Sequence, residues 1–301
     1  MQMDGMKEFI IVEADGINTL AGVGGNFYTN SPVTGNAEDF VTKDLVSYID
    51  GTYRTVAKAS ARGLSGFSMG GSGTINVGLK HPDLYAALYA NPPGLLAESG
   101  GLKDFLASSG SWTAYSVAYF PDMSVSFPHA RPIKAHDPLE TQDPALVKLW
   151  DSGYGNLRQK VADYLAQPER LKEIKVAYGT GDNYKWIPAG AEYFLGVLQE
   201  NGISSSSHVF GGAHTVDNFF FDEDCVAFFS KNLTACLVGH PARAGSTLVR
   251  RPCRSPSRRT RPPSPGSRSQ LPEWQRADRC SSGWPPSRCR SYRRSARSTS
   301  W

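Results

Sequence analysis

Short apolar runs alternate along this chain with longer stretches whose apolar residues recur every three or four positions. That alternation constrains the fold more than any other feature. Phe9–Ala14 (FIIVEA), Ser60–Gly66, Leu84–Ala90 (LYAALYA), Glu173–Tyr178 (EIKVAY) and Ser204–Phe210 read as strands. Ala37–Tyr53 reads as a helix, with Phe40, Val41, Leu45, Tyr48, Ile49 and Tyr53 forming one apolar face and Asn36 as its N-cap. Further helices are expected over Gly70–Leu79, Asn156–Leu171, Pro188–Asn201 and Val216–Leu233; His81-Pro82 ends the first of these and Gly202 stops the third. Residues 95–150, rich in Pro, Ser and aromatics, read as an irregular excursion over the sheet edge. Strands alternating with helices imply an α/β fold: a mostly parallel sheet with helices on both faces.

In such sheets chemistry gathers at the C-terminal strand ends. Three residues follow expected strands immediately: Ser68 in GLSGFSMGGSGT, Asp182 in GTGD and His214 in GGAH. A serine hydroxyl is a weak nucleophile that needs a base, and the base needs a third group to hold its tautomer. Ser68 sits in G-x-S-x-G between a strand and a helix, where a tight turn exposes the serine oxygen. Gly66 and Gly70 are expected to relieve the crowding there. The helix after Ser68 points its N-terminus at the site, which makes the Met69 N–H the natural donor to an oxyanion. Of the six histidines, only His214 lies in a small-residue loop just past a strand. His81 is expected at a helix end, His208 inside a strand, His129 and His136 in the excursion, and His240 near the C-terminus. Asp182 is the expected acid and Asp15 the second choice; Asp217 and Asp222 are expected to face solvent. The order Ser, Asp, His is that of α/β-hydrolases.

Charge divides the chain. Residues 238–301 hold 15 Arg, no Lys and two acids, a net of +13, whereas residues 1–237 carry −9. The expected organisation is therefore a globular domain over 1–237, with its cap at 95–150, and a disordered Arg/Ser/Pro-rich tail over 238–301. The tail reads either as a basic arm for nucleic acid or another acidic polymer, or as translated out-of-frame or cloning sequence; the absence of Lys favours the second reading. The body holds two of the five cysteines, Cys225 and Cys236, whose spacing permits a disulfide without demanding one. No apolar run has the length of a membrane-spanning helix, and MQMDGMKEF lacks the marks of a signal peptide. No compartment is assigned; secretion is compatible with a chain that begins within a longer protein.

EDFVTKDLVSYIDGTYRT, RGLSGFSMGGSGTINVGLKHPDLYAAL, YGTGDNY and GISSSSHVFGGAH together resemble the esterase D-like family of α/β-hydrolases. That family includes feruloyl esterases, S-formylglutathione hydrolases and mycolyltransferases. The resemblance runs over roughly residues 8–233, and FYTNS with its Gly/Asn-rich loop is closest to the feruloyl or acetyl-xylan branch. It implies Ser68 as nucleophile, Asp182 as acid, His214 as base and the Met69 N–H as one oxyanion donor, with no metal and no cofactor. It implies hydrolysis of a small-molecule or polysaccharide-linked ester through an acyl-enzyme. The alternatives are an S-formylglutathione hydrolase-like thioesterase, or an inactive fragment whose basic tail binds anions. Trp112, Tyr115, Tyr184 and Trp186 are candidates for stacking on an aryl acyl group, or for packing. Family members carry about three more strands ahead of the one matching FIIVEA. The last of these ends in a His-Gly loop that gives the other oxyanion donor, so the expectation is a domain lacking its N-terminal strands.

Overall fold

A computed structural model describes residues 7–18, 24–98, 105, 112–129, 144–217 and 224–235. The chain divides into two units, Met1–Pro256 and Ser257–Trp301, and every described residue belongs to the first. The boundary expected at residue 237 and the tail beyond it lie outside the described residues.

Four strands form one sheet: β1 (Gly63–Ser68), β2 (Ala87–Pro93), β3 (Glu173–Gly179) and β4 (Ser205–Phe210). Their order is β1-β2-β3-β4 and every pairing is parallel. Parallel strands need a crossover, and helices supply it. The central strands β2 and β3 are buried almost throughout, as strands covered on both faces must be. β1 and β4 alternate between half-buried and exposed residues. Two short antiparallel bridges precede the sheet, Ile17–Asn18 with Gly24–Gly25 and Asn30–Ser31 with Gly35–Asn36.

The helices are α1 (Ala37–Asp39), α2 (Leu45–Thr52), α3 (Met69–Lys80), α4 (Trp112–Tyr119), α5 (Pro144–Gly153), α6 (Leu157–Leu165), α7 (Trp186–Glu200) and α8 (Val226–Asn232). Side-chain alternation along β2 decides what each covers. Leu88 and Ala90 face a core built with Ile75 and Val77 of α3, Val161 of α6 and Phe194 of α7. Ala87 and Tyr89 face the other way, toward Phe228 of α8. The sheet is thus covered on both faces, as the alternating pattern required. A third cluster, rich in aromatics, joins Phe27, Phe105, Tyr115, Trp150, Tyr154 and Trp186 with Leu96 and Ile187.

Several expectations are corrected. Phe9–Ala14 forms no strand. An apolar run becomes a buried strand only where a ladder accepts it, and this one pairs with no strand among the described residues. Ile10, Ile11 and Val12 are exposed, Ile11 at 67%, and Phe9 alone packs beside the α8 core. The helix over 37–52 is present, but Phe40–Asp44 is a π-turn. Val41 is buried while Phe40, Tyr48 and Tyr53 stay exposed, so the expected single apolar face is not the buried one. Asn36 stands at the N-cap position with no side-chain cap hydrogen bond. The third strand starts at Ala87 rather than Leu84. The excursion over 95–150 contains α4 and most of α5, because Tyr115 and Trp150 gain burial by coiling into the aromatic cluster, while Val117 is buried against Val33. The helix expected to end at Leu171 stops at Leu165. The last helix begins at Val226, and Val216 and Asp217 lie outside it.

Candidate active site

β1 runs into α3 without a linking residue: Ser68 is the last of the strand and Met69 the first of the helix. The abrupt turn holds Ser68 at φ 54° and ψ −112°, a backbone region costing about 1–3 kcal/mol for an L-residue. Gly66 permits it, since a Cβ there would lie 2.3 Å from the Gly70 carbonyl oxygen. The expectation for Gly70 is corrected: a Cβ there would touch only the Tyr28 ring, at 3.8 Å. The second tight position is Gly71, whose Cβ would lie 2.8 Å from Pro93 Cα. It lets the first turn of α3 close onto the end of β2.

β3 and β4 are neighbours, so the loops leaving them start side by side. The Thr180 N–H donates to the Phe210 carbonyl at 2.9 Å, and the Gly181 N–H to the Gly212 carbonyl at 2.9 Å. A Cβ on Gly179 would fall 2.3 Å from Gly212 O. The two glycine-rich loops therefore interlock main chain to main chain, and their glycines are there for approach.

That interlock sets Asp182 beside His214, and Ser68 at the β1–α3 elbow completes a line of three side chains. His214 Nε2 lies 2.9 Å from Ser68 Oγ, and His214 Nδ1 lies 2.7 Å from Asp182 Oδ2. Asp182 is fully buried, and its other oxygen accepts the Tyr184 N–H at 2.8 Å. With both carboxylate oxygens engaged, Asp182 is fixed in place and presents an acceptor to Nδ1–H. That leaves Nε2 as the acceptor facing the serine hydroxyl. The imidazole sits between two rings: Phe67 at 5.0 Å, tilted, and Tyr184 at 5.3 Å, edge to face. Both rings are partly exposed, at 38% and 39%.

The Met69 N–H is the first amide of α3 and so belongs to the four that lack an intrahelical acceptor. The Met69 side chain lies under the bridged ribbon, where a Cβ on Gly25 would meet its sulfur at 2.4 Å.

The remaining candidates are placed elsewhere. The exposed Asp15 closes its own turn by accepting the Ile17 N–H at 2.8 Å. His81 binds Glu38 at 3.1 Å at the end of α3, and His129 reaches the Val125 carbonyl at 2.8 Å. Asp217, expected to face solvent, instead bonds His208 at 2.8 Å. Trp186 and Tyr115 are buried in the aromatic cluster and pack there. Tyr184 alone of the four aromatic candidates is seen beside His214; the Trp112 side chain, His136, Asp222 and His240 lie outside the described residues. Phe67 was missed, although its position beside Ser68 in the strand pattern marks it. Burial pushes the Cys225 thiol up to about 11, and Cys236 lies outside the described residues.

Residues 22–220 match the family model Esterase, described as "Putative esterase". The chain belongs to this esterase family. No curated protein matches it at a significant level. Among solved structures, a ferulic acid esterase is similar at 17% identity and TM-score 0.43, over 68% of this chain and 64% of that one. An S-formylglutathione hydrolase from Agrobacterium tumefaciens is similar at 18% identity and TM-score 0.47, over 70% and 64%. The fluorophosphonate-binding serine hydrolase FphF of Staphylococcus aureus is similar at 14% identity and TM-score 0.47, over 69% and 68%. The esterase chain thus spans 64% of the length of the first two. Among its described residues, no helix is long and apolar enough to cross a membrane. None of their His, Cys, Asp and Glu side chains form a group of three that could hold a metal ion.

Proposed function

We propose that this chain is a serine carboxylic-ester hydrolase acting through an acyl-enzyme, with Ser68, His214 and Asp182 as its catalytic residues. The observation that carries this reading is the hydrogen-bonded line Ser68–His214–Asp182, at 2.9 and 2.7 Å, on a strained elbow at the C-terminal end of the sheet. His214 Nε2 takes the Ser68 proton as Oγ attacks the acyl carbon. The carbonyl oxygen gains the charge and meets the Met69 N–H at the positive end of α3. The imidazolium, steadied by Asp182, gives its proton to the leaving alcohol as the C–O bond breaks. Water then attacks the acyl-enzyme, losing its proton to His214, and the acid leaves as Ser68 regains its hydrogen.

The partly exposed Phe67 and Tyr184 rings beside His214 favour an aryl acyl group, as in a feruloyl ester, over a small thioester acyl group. The test is hydrolysis of p-nitrophenyl acetate by the full chain and by Ser68→Ala. The expected loss is about 10⁴-fold or more; equal rates would sink the proposal. Comparing feruloyl, acetyl and S-formylglutathione substrates then decides the acyl class.

A further inference from the structure

A second cavity lies away from Ser68, on the flank of α3 toward its C-terminal half. Its volume is about 230 Å³, and its lining includes Asn76 and Lys80 of α3, Tyr119 of α4, Lys160 of α6, and Glu38. None of Ser68, Asp182 and His214 touches it. Two lysines, Lys80 and Lys160, and two carboxylates, Glu38 and Asp163, stand in its lining. The Lys160 ammonium has three N–H groups, and one goes to the Gly153 carbonyl. Among the described residues the other two have no acceptor, and no carboxylate stands within ion-pair distance of Lys160. The Tyr119 hydroxyl accepts from Asn76 Nδ2 at 3.4 Å, so its own hydrogen is available. Glu38, one of the two carboxylates in the lining, is taken twice, by Lys80 at 2.7 Å and by His81 at 3.1 Å. Asp163, also in the lining, is exposed and bonded by Gln159 at 2.7 Å.

We propose that this cavity is a binding site for a small oxyanion, held by Lys160 and Tyr119 with Lys80 at its rim. Lys160 is half-buried; a charge withdrawn from water is tolerated when it is paired and hydrogen-bonded, and an oxyanion supplies both the charge and several acceptors. The volume falls below the roughly 300–1,000 Å³ of pockets for drug-sized ligands, so the ligand is short: a small carboxylate or inorganic phosphate. The electrostatics agree. Burial first, and then the like charge of Lys80, bring the Lys160 amine down to about 7, with Asp151 opposing them only in part. Asp151 itself is pushed toward its neutral form by burial. An arriving anion reverses the balance on Lys160, so its binding takes up a proton near neutral pH.

The test is calorimetric titration of the full chain at pH 7.5 with acetate and, separately, with inorganic phosphate. The acetate arm is run in two buffers of different ionisation enthalpy. The expected result is saturable binding of at least one anion. Acetate binding alone identifies a planar carboxylate site, and phosphate binding alone a tetrahedral one. Lys160→Met is expected to weaken binding about tenfold or more, the loss of a charge-assisted hydrogen bond, and to abolish proton uptake. Lys80→Met, at a more exposed position, keeps the test open if Lys160→Met does not fold. It leaves Glu38 paired with His81 alone, so anion affinity falls. Absence of saturable heat with both anions overturns the proposal. So does unchanged affinity in the variant that folds, or acetate binding without proton uptake.

Discussion

At the scale of single residues, what matters is how few freedoms the proposed catalytic groups retain. Asp182 is the clearest case, buried with each oxygen occupied by one donor. Asp182→Asn can still accept the Tyr184 N–H through its carbonyl, so the fold should survive. The amide nitrogen would then face His214 Nδ1 and favour the wrong tautomer. The expected outcome is a fall of about 10³–10⁴-fold in kcat with thermal stability little changed, read by ester hydrolysis and melting in parallel. Lys160 is half-buried with no ion-pair partner among the described residues, and its signature is pH-dependent stability. Burial, and then the like charge of Lys80, bring its amine down to about 7 in the folded chain from a lysine's ordinary 10.5. Between those values the unfolded chain binds more protons than the folded one, so stability rises with pH across that window. Below about 7 both states are protonated and the cost of burying the charge is fully present. Denaturation of the parent and of Lys160→Met at pH 6 and pH 10 should therefore show the parent gaining stability relative to the variant at the higher pH. A constant difference would contradict this.

At the scale of elements, the site depends on two loops that hold each other. The chain after β3 carries Asp182 and the chain after β4 carries His214, and they interlock through main-chain bonds at 2.9 Å. Gly179→Ala places a methyl carbon 2.3 Å from the Gly212 carbonyl oxygen, so the loops must part. Ester hydrolysis should fall at least tenfold, because the His214–Asp182 alignment is lost, while the loss of stability stays near the 1–3 kcal/mol of an overpacked site. Unaltered kcat in that variant would show that the interlock does not position the acid. The sequence marks both loops through their glycines, because close backbone approach leaves no room for a side chain. The π-turn at Phe40–Asp44 carries no such mark, since apolar spacing describes an ideal helix and cannot register one inserted residue. The helices of the excursion escaped for a similar reason. Their stability comes from aromatic packing between distant segments, Phe27 against Tyr115 and Tyr154 at 5.5 Å each, and not from a local periodic stripe.

At the scale of the molecule, the sheet core is closed on both faces while part of the apolar sequence stays outside it. Among the described residues β1 pairs only with β2. Ile10, Ile11 and Val12 run unpaired and exposed, which is a liability for association between chains. Ile11→Lys should lower concentration-dependent light scattering of the full chain without affecting ester hydrolysis; identical scattering would show that this segment is not the sticky one. By itself the sequence determined the parallel α/β architecture, the positions of Ser68, Asp182 and His214 at the ends of their strands or just behind them, and Gly66 of the elbow with the glycines of the loops. These are local facts: a strand end, a turn and a close approach leave their trace in neighbouring residues. The tertiary structure alone decided that FIIVEA finds no ladder among the described residues, that Trp186 packs while Phe67 and Tyr184 flank His214, and that Lys160 stands half-buried at a cavity with no ion-pair partner among those residues. Each of those depends on what stands opposite a side chain in space, and that partner lies far away along the chain.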